Sequence, residues 1–140
     1  MKTKKSKTFQ IITLDWVVTD SIAGFPDKSG VYQVYGDSSI YGTSCLLYIG
    51  QSKNLAARRQ QHENDSPISY QNNVSFRYAL CDIELLDIAE SLLISTHKPS
   101  MNGMNLKEPC ERSVLYMVQN HGERGVLTLQ VTNSYWVPDA

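Results

Sequence analysis

The segment 45–62 constrains the fold most, because it joins an apolar run of strand length to a helix through a glycine. Residues 45–49 have the composition of a buried strand, Gly50 makes the turn, and Ser52 is placed to cap a helix predicted over 53–63. The first backbone N–H groups of a helix have no hydrogen-bond partner within the helix, and the anion that they most often bind is phosphate. The segment therefore predicts a strand, a turn and a helix start suited to an anion.

The helix predicted over 53–63 carries charge on the face that should pack. Arg58 and His62 are spaced three and seven residues after Leu55, so the three side chains share one helical face. An arginine and a histidine beside a leucine, on a face directed at a strand, are unusual. Their placement indicates a chemical role rather than a solvated surface.

Composition narrows the class of protein. The chain has 140 residues, 41% of them hydrophobic and 19% charged, which is typical of one globular domain with a real core. No stretch approaches the roughly 20 apolar residues of a membrane span, and no long apolar segment follows the basic residues 2–7, so we expect a cytoplasmic protein. The three cysteines lack metal-ligand spacing, which favours reduced, mostly buried thiols.

The net charge of −1 does not by itself predict a nucleic-acid-binding protein. Two local clusters could provide a basic surface: the four lysines within 2–7, and Lys53, Arg58, Arg59 and His62 on the predicted helix. The lysine run has two interpretations, a solvated tail or an arm that contacts phosphate.

The rest of the chain predicts an α+β fold with a small, mainly antiparallel three-stranded central sheet flanked by helices. Strands over 30–35 and 45–49 form a hairpin, which brings Tyr32 and Tyr48 close together. The other predicted elements are a strand or irregular packing arm at 10–18, a strand at 74–80, a helix from Asp82 to His97 with Asp82 as its N-cap and Pro99 as its stop, a short helix at 111–120, and a strand at 126–131.

Glu90 stands apart from the other acidic residues of the helix 82–97. At 100° per residue it falls between Leu86 and Ile94, inside the apolar face. A buried carboxylate requires a cation, a metal or a proton. The alternative is a glutamate at the rim of the core, paired for structure with Arg58 or Arg77.

At these positions the sequence resembles the GIY-YIG nuclease superfamily. Gly30-Val31-Tyr32 and Tyr48-Ile49-Gly50 are similar to its paired signature, with valine in place of isoleucine and a longer interval between the two tripeptides. The segment Asn54-Leu55-Ala56-Ala57-Arg58 with His62 is similar to the first helix of the family, and Glu90 to Ile94 with Pro99 and Asn102 resembles its glutamate helix. The resemblance covers a core of about 30–102, preceded by an N-terminal arm at 1–29 and followed by a C-terminal extension at 103–140, which we take as one nuclease-like domain.

The resemblance implies a metal-dependent endonuclease that hydrolyses phosphodiester bonds, with DNA as the favoured substrate. Cleavage needs an activated nucleophile and neutralisation of the charge that develops on the phosphoryl oxygens. By this resemblance Glu90 holds one divalent ion, Mg²⁺ or Mn²⁺, and Arg58 clamps the phosphate. Tyr32 acts as general base and needs nearby positive charge, because a free phenol has a pKa of about 10. The remaining implied roles are proton transfer or positioning by Tyr48 and His62, and support by Gly50 and Asn102.

Other functions remain open from the residues. Each tyrosine alone is more often a core residue, and spacing cannot decide between Arg58 and Arg59 as the phosphate clamp. A catalytically silent module that binds nucleic acid or a protein on the same fold is one alternative, and a nuclease for RNA or single strands is another. The near-neutral net charge predicts weak affinity for duplex DNA. We therefore expect binding as a homodimer or together with a DNA-binding partner.

Overall fold

The computed structural model describes residues 9–19, 24–38, 42–57, 74–99 and 114–133. Its strands are β1 (Gln10–Thr19), β2 (Gly30–Ser38), β3 (Gly42–Ser52), β4 (Ser75–Leu80), β5 (Tyr116–Gly122) and β6 (Gln130–Thr132). A helix begins at 55 and is described as far as 57. A 3₁₀ turn at Ile83–Leu85 leads into helix α1 (Leu86–His97).

The six strands form one mixed sheet in the order β3-β2-β4-β1-β5-β6. Neighbouring strands are antiparallel except for β1 and β5, which run parallel from Gln10↔Tyr116 to Trp16↔Gly122. The β2–β3 hairpin and β4 agree with the sequence prediction, and the segment at 10–18 is a strand. The prediction of a three-stranded sheet is wrong, because β1, β5 and β6 extend the sheet beyond β4.

The predicted helix at 111–120 is also wrong over its described part, because 114 and 115 are not helical and 116–120 lie in strand β5. Val118 and Asn120 are buried and alternate with more exposed neighbours, the two-residue period of a strand. The Asn120 side chain accepts a hydrogen bond from Trp16 Nε1 at 2.9 Å and donates one to the Thr128 carbonyl at 2.9 Å. This buried polar side chain thus joins β1 to the residues before β6. The last strand is also shorter than the predicted 126–131.

The two faces of the sheet pack differently, and β2 shows the division. Val31 points toward α1 and shares a hydrophobic cluster with Ile49 and with buried residues of β1 and β5. Tyr32 points to the opposite face and joins an aromatic cluster with Phe25, Val34, Leu55 and Phe76. Pro99 follows the end of α1 as predicted, whereas Asp82 makes no side-chain capping bond, because the first turn is 3₁₀ and α1 starts only at Leu86.

The turn between β5 and β6 packs on the α1 side of β2 through a polar network around Tyr35. Its hydroxyl donates to Gln33 Oε1 and accepts the Val126 N–H at 3.0 Å, and the Arg77 guanidinium lies 4.9 Å above the ring. Gly125 has φ of +64° and contacts the Tyr35 hydroxyl so closely that a Cβ has no room. Burial raises the pKa of Tyr35, which keeps the phenol neutral and able to donate.

Within the described ranges, no helix is long and apolar enough to cross a membrane.

His97 predicts a pH dependence of stability. Its Nε2 accepts the Thr128 N–H at 3.1 Å and its Nδ1 lies 2.9 Å from the Leu93 carbonyl, an arrangement that suits the neutral ring with its proton on Nδ1. Burial lowers the pKa of His97 below its usual 6.5, against an opposing effect of the Leu93 bond. The unfolded chain therefore takes up the proton at a higher pH than the folded chain. We expect the free energy of unfolding to fall as the pH drops from about 6.5 toward the folded pKa.

Urea unfolding between pH 5 and pH 8 measures this effect. His97→Gln should flatten the profile in this window, and His121→Gln, at an exposed position of β5, should leave it unchanged. A wild-type profile that His97→Gln leaves as steep contradicts the prediction.

Candidate active site

The β2–β3 register brings the two tyrosines of the paired signature together. Tyr32 pairs with Gly50 and Val34 pairs with Tyr48, so both tyrosines lie on the same face of neighbouring strands. Their ring centroids are 5.9 Å apart with an angle of 31° between the ring planes. Tyr32 is 0% exposed, whereas Tyr48 is half-buried. The predicted closeness is confirmed, and Tyr48 is the one of the two that reaches the surface.

Gly50 packs directly against both rings of this tyrosine pair. A Cβ on Gly50 would lie 2.5 Å from both Cζ and the hydroxyl of Tyr32, and 2.7 Å from Cε1 of Tyr48. Any side chain at this position must therefore displace a ring. The close approach of the two rings requires a glycine at this position.

The start of the helix after β3 is already capped by the protein. Leu55 N–H donates to the Lys28 carbonyl at 2.9 Å, Ala56 N–H to the Pro26 carbonyl at 3.1 Å, and Ala57 N–H to Asn54 Oδ1 at 3.2 Å. The prediction that an anion binds these N–H groups is therefore wrong. The sequence predicted Ser52 as the capping residue, but Asn54 caps the helix. Ser52 Oγ instead forms hydrogen bonds with the backbone of Asn54.

Glu90 lies on the buried side of α1, as the helical periodicity predicted. It is 7% exposed, among apolar neighbours that include Leu86 and Ile94. The Gln51 side-chain amide donates to Glu90 Oε1 at 3.5 Å and to Asp87 Oδ1 at 2.5 Å. Arg77, one of the two cations considered as a partner for Glu90, instead donates to the Glu123 carbonyl at 2.8 Å.

The candidate residues lie on both sides of β3, which is the edge strand of the described sheet. Tyr48 and Gly50 point to the face that carries the aromatic cluster, whereas Ile49 and Gln51 point to the α1 face. Glu90 is tied to Gln51, the residue directly after Gly50. The tyrosine pair and the carboxylates therefore lie on opposite faces of the sheet at its β3 edge. A site that uses both must extend around this edge strand.

The carboxylates suit a hard cation. In proteins Mg²⁺ is usually held by one or two carboxylates, with water and substrate phosphate filling its other positions. Glu90 and Asp87 offer such oxygens around one amide group. Among the described residues, no group of three or more His, Cys, Asp or Glu could hold a metal by itself. The donor set fits an ion that is completed by water and substrate.

Three predicted site residues, Arg58, His62 and Asn102, lie outside the described residues, as does Arg59. Gln51 and Asp87 were not among the predicted site residues. A two-residue period starting from Ile49 puts Gln51 on the face toward α1, and Asp87 is one turn before Glu90. These two periodicities together are the signal that could have identified both residues.

A cavity of about 620 Å³ opens elsewhere, between β1 and the end of β4. Its lining includes Ile11, Thr13, Lys28 and Cys81 and contains none of the predicted site residues. Burial, with a smaller effect of the Asp82 charge, raises the pKa of the Cys81 thiol to about 11. A neutral, buried thiol agrees with the predicted inert cysteine and not with a nucleophile.

Comparison with solved structures finds likeness to the GIY-YIG N-terminal endonuclease domain of UvrC from Thermotoga maritima. A structure of that domain bound to magnesium as its catalytic divalent cation is 22% identical, with a TM-score of 0.47, over 58% of this chain and 90% of that one. A tyrosine-to-phenylalanine point mutant bound to the catalytic cation is 21% identical, with a TM-score of 0.47, over 58% and 89%. An asparagine-to-alanine mutant is 20% identical, with a TM-score of 0.45, over 57% and 88%.

A comparison with models of protein families found no match, and neither did a comparison with curated proteins.

The contact of Gly50 with the two rings predicts a coupled effect of two substitutions. Gly50→Ala should lower the free energy of unfolding by about 1–3 kcal/mol, because the methyl group forces the rings apart. Tyr32→Phe removes one of the two atoms at 2.5 Å, so the penalty of Gly50→Ala should be smaller in the Tyr32→Phe background. Urea unfolding of the four proteins of this double-mutant cycle measures the coupling.

Tyr78→Phe supplies the control background, since Tyr78 packs in the same aromatic cluster and is absent from the contacts of Gly50. Equal penalties of Gly50→Ala in the wild-type and Tyr32→Phe backgrounds would show that the contact with the Tyr32 hydroxyl is not the cause.

Proposed function

We propose that this protein is a metal-dependent endonuclease that hydrolyses phosphodiester bonds in nucleic acid, with DNA as the favoured substrate. The observation that carries the proposal is the convergence on one sheet edge of three motif elements that are distant in the sequence. The tilted rings of Tyr32 and Tyr48 lie against Gly50 with their centroids 5.9 Å apart, and the carboxylate of Glu90 accepts a hydrogen bond from the next residue, Gln51. A hydrophobic core alone does not account for a carboxylate that is only 7% exposed.

Each residue has a chemical role in this proposal. Glu90 holds one divalent ion, Mg²⁺ or Mn²⁺, which supplies charge neutralisation at the phosphate. Arg58 binds the phosphate oxygens, for which its planar fork provides two parallel donors. Tyr32 accepts the proton of the attacking water, Tyr48 and His62 position groups or transfer protons, and Asn102 orients the site.

The exposure of the two tyrosines makes the assignment of the base testable. Tyr32 is fully buried with its hydroxyl over Gly50, whereas Tyr48 is half-buried, so the two phenols differ in their exposure to the attacking water. Because proton acceptance requires contact with that water, the roles of the two phenols can be separated by removing one hydroxyl at a time.

The first test is cleavage of plasmid, single-stranded DNA and RNA by the full chain with Mg²⁺, with Mn²⁺ and with EDTA. We expect metal-dependent cleavage that EDTA abolishes and Glu90→Gln reduces on the order of 100-fold or more. Glu84→Gln, which changes an exposed carboxylate just before α1, is the matched control and should keep wild-type activity. Cleavage that persists in Glu90→Gln and in EDTA contradicts the metal assignment.

The second test compares Tyr32→Phe and Tyr48→Phe in the same assay. Loss of the general base should reduce the rate by about 100-fold or more, and we expect this for Tyr32→Phe, with a smaller loss for Tyr48→Phe. Tyr78→Phe removes a hydroxyl from the same aromatic cluster and should remain active. The reverse order of the two losses would assign the base to Tyr48. A folded protein that binds nucleic acid without cutting it would instead be the silent binding module.

The third test decides between the two adjacent arginines. Arg58→Lys should reduce cleavage by about 100-fold, because a lysine cannot supply two parallel N–H donors to one phosphate. Arg59→Lys should have little effect. The opposite result assigns the phosphate clamp to Arg59.

A further inference from the structure

Gln51 joins the edge strand to helix α1. Its side-chain Nε2 lies 2.5 Å from Asp87 Oδ1 and 3.5 Å from Glu90 Oε1. Asp87 and Glu90 are three residues apart on α1, so their carboxylates are neighbours on the helix surface. A primary amide carries two N–H donors on one nitrogen, which matches the two carboxylates that it meets.

The group that bridges the two carboxylates is an uncharged amide and not a cation. Two carboxylates three residues apart on a helix repel each other, and a lysine or arginine between them would offset that repulsion. Such a cation would also compete with a metal ion for the same oxygens. An amide donates hydrogen bonds without adding positive charge, so it orients the carboxylates without bringing a cation that competes with the metal ion.

The backbone of Gln51 is held in a fixed register. Gln51 pairs with Val31 and the preceding Gly50 pairs with Tyr32. The amide is therefore attached to the same stretch of strand that sets the tyrosine pair. A hydrogen bond from Gln51 to Glu90 consequently fixes the carboxylate relative to Tyr32 and Tyr48, although these side chains lie on opposite faces of the sheet.

We propose that Gln51 is a positioning residue for Glu90, whose carboxylate it holds, through a bridge shared with Asp87, in the place where a divalent cation binds. The inference rests on the proposed function, in which Glu90 is the metal ligand. Gln51 touches neither the cation nor the phosphate in this arrangement. Its effect is on metal affinity, as for groups that orient the ligands of other metal sites.

The test uses the full chain and Gln51→Leu, which removes the donors and keeps the approximate size. The matched control is Gln130→Leu, at an exposed position of β6 on the opposite edge of the sheet. Binding of Mn²⁺ is followed by electron paramagnetic resonance, and cleavage of plasmid DNA is measured as a function of Mn²⁺ and of DNA concentration. Thermal unfolding without metal reports whether each variant folds.

For Gln51→Leu we expect the Mn²⁺ dissociation constant and the Mn²⁺ concentration for half-maximal cleavage to rise about 10- to 100-fold. The rate at saturating Mn²⁺ and the KM for DNA should stay near the wild-type values, because the catalytic groups remain. Gln51→Asn keeps an amide on a shorter side chain and should give a smaller rise. This second variant also keeps the strand polar, so it carries the test if Gln51→Leu fails to fold.

Wild-type Mn²⁺ affinity in the folded variants, together with lost affinity in Glu90→Gln, overturns the inference and leaves the proposed function standing. A lower rate at every Mn²⁺ concentration with unchanged Mn²⁺ affinity assigns Gln51 a purely structural role and also overturns it. A wild-type chain that neither binds Mn²⁺ nor cleaves nucleic acid refutes the proposed function, and the inference with it.

Discussion

The pairing of Tyr32 with Gly50 is the contact on which the arrangement of the site depends. The tyrosine ring occupies the space above the glycine Cα, and no other residue type leaves that space open. Because side chains alternate along a strand, a slip of one residue between β2 and β3 would exchange their faces. Tyr48 would then point toward α1, and Gln51 would leave the carboxylates. The steric fit of one ring over one glycine thus excludes the registers in which the site cannot form.

The same edge strand separates two environments that the proposed chemistry needs. On one face, Phe25, Val34 and Phe76 surround Tyr32 with apolar groups. On the other face, a carboxylate is buried within the apolar side of a helix, and the amide of Gln51 satisfies part of its hydrogen-bonding capacity. Removing a charge from water is costly unless polar partners replace the water. Burial of this kind restricts the Glu90 carboxylate to few orientations. Such a restricted carboxylate suits the role of a metal ligand with fixed geometry.

Local patterns in the sequence predicted the parts of the fold that depend on neighbouring residues. The alternation around Tyr32 and Tyr48 gave the hairpin, and the helical period placed Glu90 on the buried face. The identity of β5 could not be predicted in this way, because the buried Asn120 side chain is bonded to Trp16 and Thr128, contacts that no local pattern reveals. The helix cap was misplaced for a similar reason. Ser52 and Asn54 are both good capping residues, and the carbonyls of Pro26 and Lys28 decide between them. Arg58, His62 and Asn102 stay predictions from the sequence.

The parallel pairing of β1 with β5 has a consequence for how the chain folds. The bond between Trp16 and Asn120 spans 104 residues, whereas the β2–β3 hairpin closes over a short loop. Contacts between distant residues form slowly, because the intervening chain must first lose its conformational freedom. During synthesis β1 therefore emerges long before its parallel partner, and its backbone edge over 10–16 has no strand to pair with in the meantime. An unpaired strand with apolar side chains is prone to associate with other chains, so β1 is exposed to such association until β5 has been synthesised.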